Sequence, residues 1–141
     1  MSIEIAPEFV ERQRKMKDLD GPIEVSEWGQ FQINGQIHSE DGKGAGKDIF
    51  VWAGKVSPWS DRKGHRLKPH MVACALAEDI DILVIGNGFH GAIEVTKKTR
   101  QAIDAAGVGK LIIQTTPEAC ATYNRLFHKG EHVALLAHGT C

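Results

Sequence analysis

The sequence predicts an α/β fold with a partly parallel sheet, and the pattern of its second half carries that prediction. Three short runs, at 81–86, 110–115 and 132–137, are apolar on both faces, as strands covered from two sides would be. Helical patterns of amphipathic spacing separate them. A strand, helix, strand order of this length calls for right-handed crossovers, so the three runs should lie parallel in one sheet.

The first half of the chain predicts antiparallel strands. Residues 8–19 place a thin apolar stripe among charges, which indicates a loosely docked helix or a frayed tail. Phe31 and Ile33 then alternate with polar residues ahead of Asn34-Gly35, the dipeptide that suits a type I′ hairpin turn. After an exposed glycine-rich loop, residues 48–54 should form a further strand.

Three helices are expected after this strand. The first begins at Pro69 and is apolar almost all round up to residue 79, as a helix packed between layers would be. The second starts at the capping residue Thr96 and stops at Gly107. The third follows a threonine cap and ends at Gly130. Trp59, in the polar bend before them, should fold back onto the sheet.

Length, charge and cysteine content narrow the class of protein. The 141 residues fit one domain, which we place at 22–141, with 1–21 as an N-terminal helix or tail. A formal charge of -1 without a basic stripe argues against a nucleic-acid partner. Cys74, Cys120 and Cys141 form no CxxC, so we expect neither a disulfide framework nor a metal, and no other cofactor.

The hydropathy of the chain bears on where the protein resides. The first twenty residues hold five acids and no apolar run, which is unlike a signal or transit peptide. No stretch approaches the ~20 apolar residues of a membrane span. A cytoplasmic protein without a membrane partner is therefore expected. Sheet edges and the apolar segment 71–77 would also allow a homodimer.

The first candidate site is the glycine-rich loop after the 81–86 strand. It spells GxGxxG, but the residues after it look extended and the next strand ends at Gln114 rather than at an acid, so the dinucleotide fingerprint is incomplete. Either the glycines only turn the chain, and the threonines only cap a helix, or the two loops form a crevice whose bare amides hold a small anion. The crevice residues would be Gly86, Asn87, Gly88, Phe89, His90, Thr115 and Thr116.

The second candidate is the tail after the 132–137 strand, where His138 and Cys141 bring an imidazole and a thiol together. A nucleophilic cysteine needs a third group that orients its base, and zinc needs further ligands, but the sequence identifies neither. The tail is therefore expected to cap the sheet and pack, and its thiol would be redox-active if it is accessible. No catalytic residue is assigned.

Several short features occur in a fixed order in the sequence: Trp28-Gly29 ahead of the hairpin, Trp59, the run LVIGNG at 83–88, Thr115, Ala119, Tyr123-Asn124, and the ending His138-Gly139-Thr140-Cys141. In this order they resemble the Mth938 family, also called the domain of unknown function 498 family. The resemblance covers about residues 22–141 and implies a three-layer fold, with a mixed central sheet, a helical layer and an antiparallel β layer. It implies no catalytic residue, and one branch of the family assists the assembly of mitochondrial respiratory complex I.

Two classes of function are compatible with these observations. The first is a non-enzymatic binding or assembly module that engages a protein partner through a crevice or surface. It is favoured because no acid and base pair, metal set or activated nucleophile is complete in the sequence. The second is a small-molecule ligand-binding protein or an enzyme that uses the glycine-loop crevice, with a small anion as the ligand. Enzymatic activity is left open.

Overall fold

The computed structural model describes residues 15–141, which contain eleven strands and three α-helices. A 3-10 turn at Pro69–Val72 leads into the first of the helices, which are α1 (Ala73–Leu76), α2 (Lys97–Ala105) and α3 (Thr116–His128). The strands are β1 (Met16–Lys17), β2 (Ile23–Glu27), β3 (Gln30–Ile33), β4 (Gln36–Ser39), β5 (Asp48–Trp52), β6 (Lys55–Pro58), β7 (Arg66–Leu67), β8 (Ile82–Gly86), β9 (Glu94–Val95), β10 (Lys110–Gln114) and β11 (Val133–His138).

A five-stranded mixed sheet forms the centre of the molecule, in the order β10-β8-β11-β5-β6. Strands β10, β8 and β11 run parallel, while β5 and β6 are antiparallel to their neighbours. The parallel strands are the three apolar runs of the sequence. The predicted α/β class and the mixed central sheet are therefore confirmed.

Both faces of the central sheet are covered, which explains why its middle strands have no polar face. Every residue of β8 and β11 is buried. Val84 and Leu135 face a core shared with α3 and the antiparallel strands. Leu83 and Leu136 face a second core, which includes Trp59 and residues of α1 and α2. Trp59 is 3% exposed, as expected of a residue that folds back onto the sheet.

Strands β1 to β4 form a separate antiparallel sheet that packs on the core shared with α3. Its hairpin turns at Asn34 and Gly35, whose φ angles of 51° and 80° are those the type I′ prediction required. Asn124 of α3 joins this sheet to the helix. Its side-chain amide donates to Ile23 O at 2.7 Å and its Oδ1 accepts from Ile23 N at 3.0 Å.

Two predicted helices differ from the structure. Residues 8–14 of the predicted N-terminal helix or tail lie outside the described residues, and in the remainder the helix is wrong because Met16–Lys17 pair with β2 as a strand. The sheet edge offers this segment backbone hydrogen bonds that a short, weakly amphipathic helix could not match. The helix expected over 69–79 already ends at Leu76, and the chain then turns so that Ile80 enters the second core.

Candidate functional site

The two loops of the predicted crevice lie side by side at one edge of the central sheet. Strands β8 and β10 are parallel neighbours, so the glycine loop after β8 and the threonines after β10 leave the sheet together. Asn87 N donates to Gln114 O at 2.9 Å, which ties the first turn of the loop to the end of β10. The residues expected to share a crevice are therefore brought together.

Thr116 is fully buried and connects three segments at this edge. Its hydroxyl accepts a hydrogen bond from Gly88 N at 3.0 Å and donates one to His138 O at 2.7 Å. The Thr115 hydroxyl instead donates to Glu118 Oε1 at 2.7 Å, on the exposed side of α3. Thr116 thus joins the glycine loop, α3 and β11, while the side chain of Thr115 serves only the first turn of its own helix.

The main-chain amides of the glycine loop donate to the tail. Phe89 N donates to Thr140 O at 2.7 Å, and His90 N donates to Cys141 O at 3.3 Å. Gly88 has a φ of +102°, and a Cβ atom at this position would overlap the main chain of Cys141. Because these amides are already paired, an anion could bind them only by displacing the tail.

The side chain of Asn87 differs from the loop amides. Its Oδ1 is buried and, within residues 15–141, has no hydrogen-bond partner. A buried acceptor ordinarily finds a donor in the protein, in an ordered water or in a ligand. A ligand at the glycine loop stays a prediction, and the unpaired Oδ1 of Asn87 is the observation that supports it.

The two candidate residues of the tail meet a third group that the sequence did not connect with them. His138 is buried, and its Nδ1 lies 2.6 Å from Asp48 Oδ1. Strands β5 and β11 pair so that these two residues are opposite each other. Cys141 Sγ lies 3.8 Å from His138 Nε2 and 3.4 Å from His65 Nε2. The tail therefore brings a thiol, two imidazoles and a carboxylate together.

The charge of Asp48 decides how His138 carries its proton. Burial works against ionisation of the carboxyl, but the hydrogen bond with His138 and the charges of Arg62 and Lys47 outweigh burial and hold the pKa of Asp48 below its usual range. Arg62 Nε lies 3.1 Å from Asp48 Oδ1. An ionised carboxylate accepts a hydrogen bond from Nδ1–H of neutral His138, so Nε2, the nitrogen that faces Cys141, is left as an acceptor.

A cavity of about 610 Å³ lies where β7 and β9 meet the first turn of α2. Thr96 and Thr99 both donate side-chain hydrogen bonds to Leu67 O, at 3.1 and 2.5 Å, and so fix α2 against β7. Five basic side chains line this cavity, which we call the basic pocket, and none of the described residues that line it is acidic. The lining residues are Arg66, Lys68, Pro69, His70, Thr96, Lys97 and Lys98.

The sequence did not predict the basic pocket. Its cations come from two segments, 66–70 and 96–98, which only the parallel pairing of β7 with β9 brings together. One local signal could have pointed to it. Lys97 and Lys98 occupy the first turn of α2, which contains no acid, although the positive end of a helix dipole favours acidic residues there.

Two broader properties concern the part of the chain that the structure describes. No helix within residues 15–141 is long and apolar enough to cross a membrane. In the same range, no group of three or more His, Cys, Asp or Glu side chains is arranged to hold a metal ion. The three cysteines are free thiols.

The fold and these contacts define a class of protein, in which a mixed five-stranded sheet has α1 and α2 on one face, and α3 with an antiparallel β sheet on the other. The chain belongs to the family described as protein of unknown function (DUF498/DUF598), which matches residues 23–138. The resemblance to the Mth938 family is thereby confirmed.

Solved structures of similar proteins share this fold. Conserved hypothetical protein PH1505 from Pyrococcus horikoshii OT3 has a TM-score of 0.71 at 22% identity, over 84% of this chain and 98% of that chain. The protein MT938 has a TM-score of 0.67 at 22% identity, over 90% and 99%. A Mth938-like domain protein from Bordetella pertussis has a TM-score of 0.57 at 16% identity, over 99% and 92%. At these identities the likeness shows the fold alone.

Proposed function

We propose that the chain is a binding or assembly module, and that its basic pocket holds an acidic segment of a protein partner. The observation that carries this proposal is the one-sided charge of the pocket, where five basic side chains and no acidic one, among the described residues, surround a single cavity. The chain as a whole has a formal charge of -1, so this positive patch is local. Complementary charge of this kind speeds association and selects partners.

The first turn of α2 strengthens the proposal. Lys97 and Lys98 lie beside main-chain amides at the positive end of the helix, where cations are unfavourable. A carboxylate from a partner would relieve this repulsion and would accept hydrogen bonds from the lysines. The arrangement costs stability in the free protein and is compensated when an anion binds, as is common at functional sites.

The kind of anion follows from the exposure of the pocket. Arg66, Lys68, His70, Lys97 and Lys98 are all exposed. Small-molecule sites usually enclose their ligand in apolar walls with a few fixed polar groups. An open pocket lined by exposed basic side chains suits the carboxylates of an extended acidic segment better than a small enclosed ligand.

The alternative is a ligand-binding protein or enzyme that uses the glycine-loop crevice. The buried, unpartnered Oδ1 of Asn87 supports it, within the described residues. The amides of Phe89 and His90 count against it, because the tail already accepts their hydrogen bonds. Binding at the basic pocket requires no such displacement, and so we favour it.

A fluorescence anisotropy titration with a labelled Glu-rich peptide tests the proposal. We expect binding at low ionic strength that weakens as salt is added, and a loss of at least about tenfold in affinity for Lys97→Glu/Lys98→Glu. Acids in the first turn favour the helix, so lost binding in this variant would not reflect lost folding. Lys110→Glu/Lys129→Glu makes the same change in charge at exposed lysines that do not line the pocket, and it should bind almost as wild type does.

Two results would contradict the proposal. Equal losses in the two charge-reversal variants would mean that the peptide senses only net charge. Pyrophosphate that binds in a manner abolished by Asn87→Ala, but not by Lys97→Glu/Lys98→Glu, would favour the glycine-loop alternative.

A further inference from the structure

We propose that Cys141 is a nucleophilic cysteine that accepts an acyl group from an ester or thioester, with His138 as its base and Asp48 as the positioning residue. This activity goes beyond the proposed partner binding, because none of its residues lines the basic pocket. It rests on the mutual geometry of side chains from the tail, β11 and β5.

The arrangement has the order of contacts that cysteine nucleophiles use. Such sites place the thiol beside an imidazole nitrogen, and the other imidazole nitrogen beside a group that holds the ring. Here Cys141 Sγ lies 3.8 Å from His138 Nε2, and His138 Nδ1 lies 2.6 Å from Asp48 Oδ1. The thiol contact is longer than a tight hydrogen bond, as is frequent for such contacts before a substrate binds.

His138 is positioned as a fixed base. It is 2% exposed, and its ring is held between Asp48 on one side and the tail on the other. The hydroxyl of Thr140 also lies 3.1 Å from Nε2. That hydroxyl must rotate its proton away when Nε2 takes the proton of Cys141. Rotation about one C–O bond is enough, so Thr140 competes for this nitrogen without blocking it.

His65 contacts the other side of the thiol. Its Nε2 lies 3.4 Å from Cys141 Sγ, in the exposed loop before β7. Within residues 15–141, no carboxylate lies at hydrogen-bond distance from its ring, whereas His138 has Asp48. We therefore assign proton removal to His138. His65 can donate Nε2–H to the sulfur and stabilise the thiolate that forms.

The other two thiols lack these contacts and provide references within the same chain. Cys120 is completely buried, and burial raises the pKa of its thiol to about 12. Burial also raises the pKa of the half-buried Cys74. Cys141 is only partly buried, so a reagent can reach its sulfur. The thiolate is the reactive form, and only Cys141 has a base beside it within the described residues.

The proposed reaction is balanced without any oxidant or cofactor. Cys141 gives its proton to His138 Nε2, and the sulfur bonds to the acyl carbon of an ester. The C–O bond breaks, the alcohol leaves with the proton from His138, and a thioester remains on Cys141. Water then attacks the thioester, giving up a proton to His138, which returns it to the sulfur as the carboxylic acid departs.

The reactivity of the thiol can be tested without any substitution. Iodoacetamide alkylation of Cys141 at pH 6.5 is followed by peptide mass spectrometry, in the folded chain and in the chain unfolded by urea. We expect Cys141 to react at least about tenfold faster when folded, since a positioned base contributes about 10²–10⁴ to such steps. Cys74 and Cys120 should react more slowly when folded. A Cys141 that reacts no faster in the folded chain would overturn the proposal.

The acyl step is tested with p-nitrophenyl acetate. Wild type should release a burst of p-nitrophenolate and carry an acetyl group on the Cys141 peptide, and Cys141→Ser should show neither. Acetylation that appears on Cys74 as readily as on Cys141 would refute the assignment.

The pH dependence of alkylation distinguishes a role of Asp48 in positioning His138 from a purely structural role. In folded Asp48→Asn, alkylation at neutral pH should slow about tenfold and its rise with pH should move to higher pH, because the neutral amide no longer stabilises a protonated His138. His65→Gln should have a smaller effect. If His65→Gln abolishes the reactivity and folded Asp48→Asn leaves its pH profile unchanged, then His65 is the base and our assignment is wrong.

Discussion

Replacing Thr116 by valine tests whether the threonine that follows β10 holds the fold together. Valine has nearly the same shape, and both residues are β-branched, so packing and helix propensity change little. The substitution leaves Gly88 N without its acceptor at 3.0 Å and His138 O without its donor at 2.7 Å. Unpaired buried groups cost about 1–3 kcal/mol each, so we expect a loss of about 2–6 kcal/mol.

Urea denaturation followed by circular dichroism measures this loss. With a slope of about 2 kcal/mol/M, a loss of 3 kcal/mol would lower the midpoint by about 1.5 M without changing the slope. Thr115→Val is the matched control. The Thr115 hydroxyl bonds only to the exposed Glu118, so its loss should cost less than about 1 kcal/mol. Equal, small losses in the two variants would refute the reasoning, because Thr116 would then hold nothing in place.

Three further predictions use the same measurement. Gly88→Ala should lower the free energy of unfolding more than Gly107→Ala does. Both glycines have a positive φ, but only a Cβ at Gly88 meets the main chain of Cys141. Similar losses in the two variants would contradict the close approach of these backbones. Asn124→Ala should lower the free energy of unfolding by about 2–6 kcal/mol, because both backbone groups of Ile23 lose their partner. A loss below about 1 kcal/mol would contradict this. The pKa of Asp48 is lowered in the folded chain, so its contribution to stability is complete above the unfolded value of about 4 and is lost as pH falls through the folded pKa. The difference in stability between wild type and Asp48→Asn should therefore shrink below about pH 4, and a constant difference would count against it.

Much of the fold could be predicted because its signals are local. The runs that became β8 and β11 are apolar on both faces, and their burial on both sides of the sheet requires this, whereas β10 lies at the edge and is only partly buried. Asn34-Gly35 sets the hairpin through two backbone angles, and the Thr96 hydroxyl caps α2 by accepting a hydrogen bond from Thr99 N at 3.3 Å. Each signal acts within a few residues, so the sequence displays it directly.

The sites could be predicted only in part, because long-range pairing assembles them. His138 and Cys141 were recognised as a pair, but Asp48 joins them only through the register of β5 against β11. In the same way, Lys97 joins Arg66 at one cavity only because β7 pairs with β9. A two-residue ribbon such as β7 leaves almost no periodicity in the sequence, so its partner could not be inferred.

The glycine loop, which contains the GxGxxG motif of the sequence, contacts the tail that carries the thiol of Cys141. Its amides hold the carbonyl oxygens of Thr140 and Cys141, and Gly88 allows the two backbones to approach. Nucleotide-binding loops use free amides of this kind to hold a phosphate, whereas here the amides hold a peptide segment of the same chain. These main-chain hydrogen bonds fix the backbone of Cys141 and thereby set the position from which its sulfur projects. A motif that suggests a ligand can therefore serve to hold another segment of the chain, here the backbone of the proposed nucleophile.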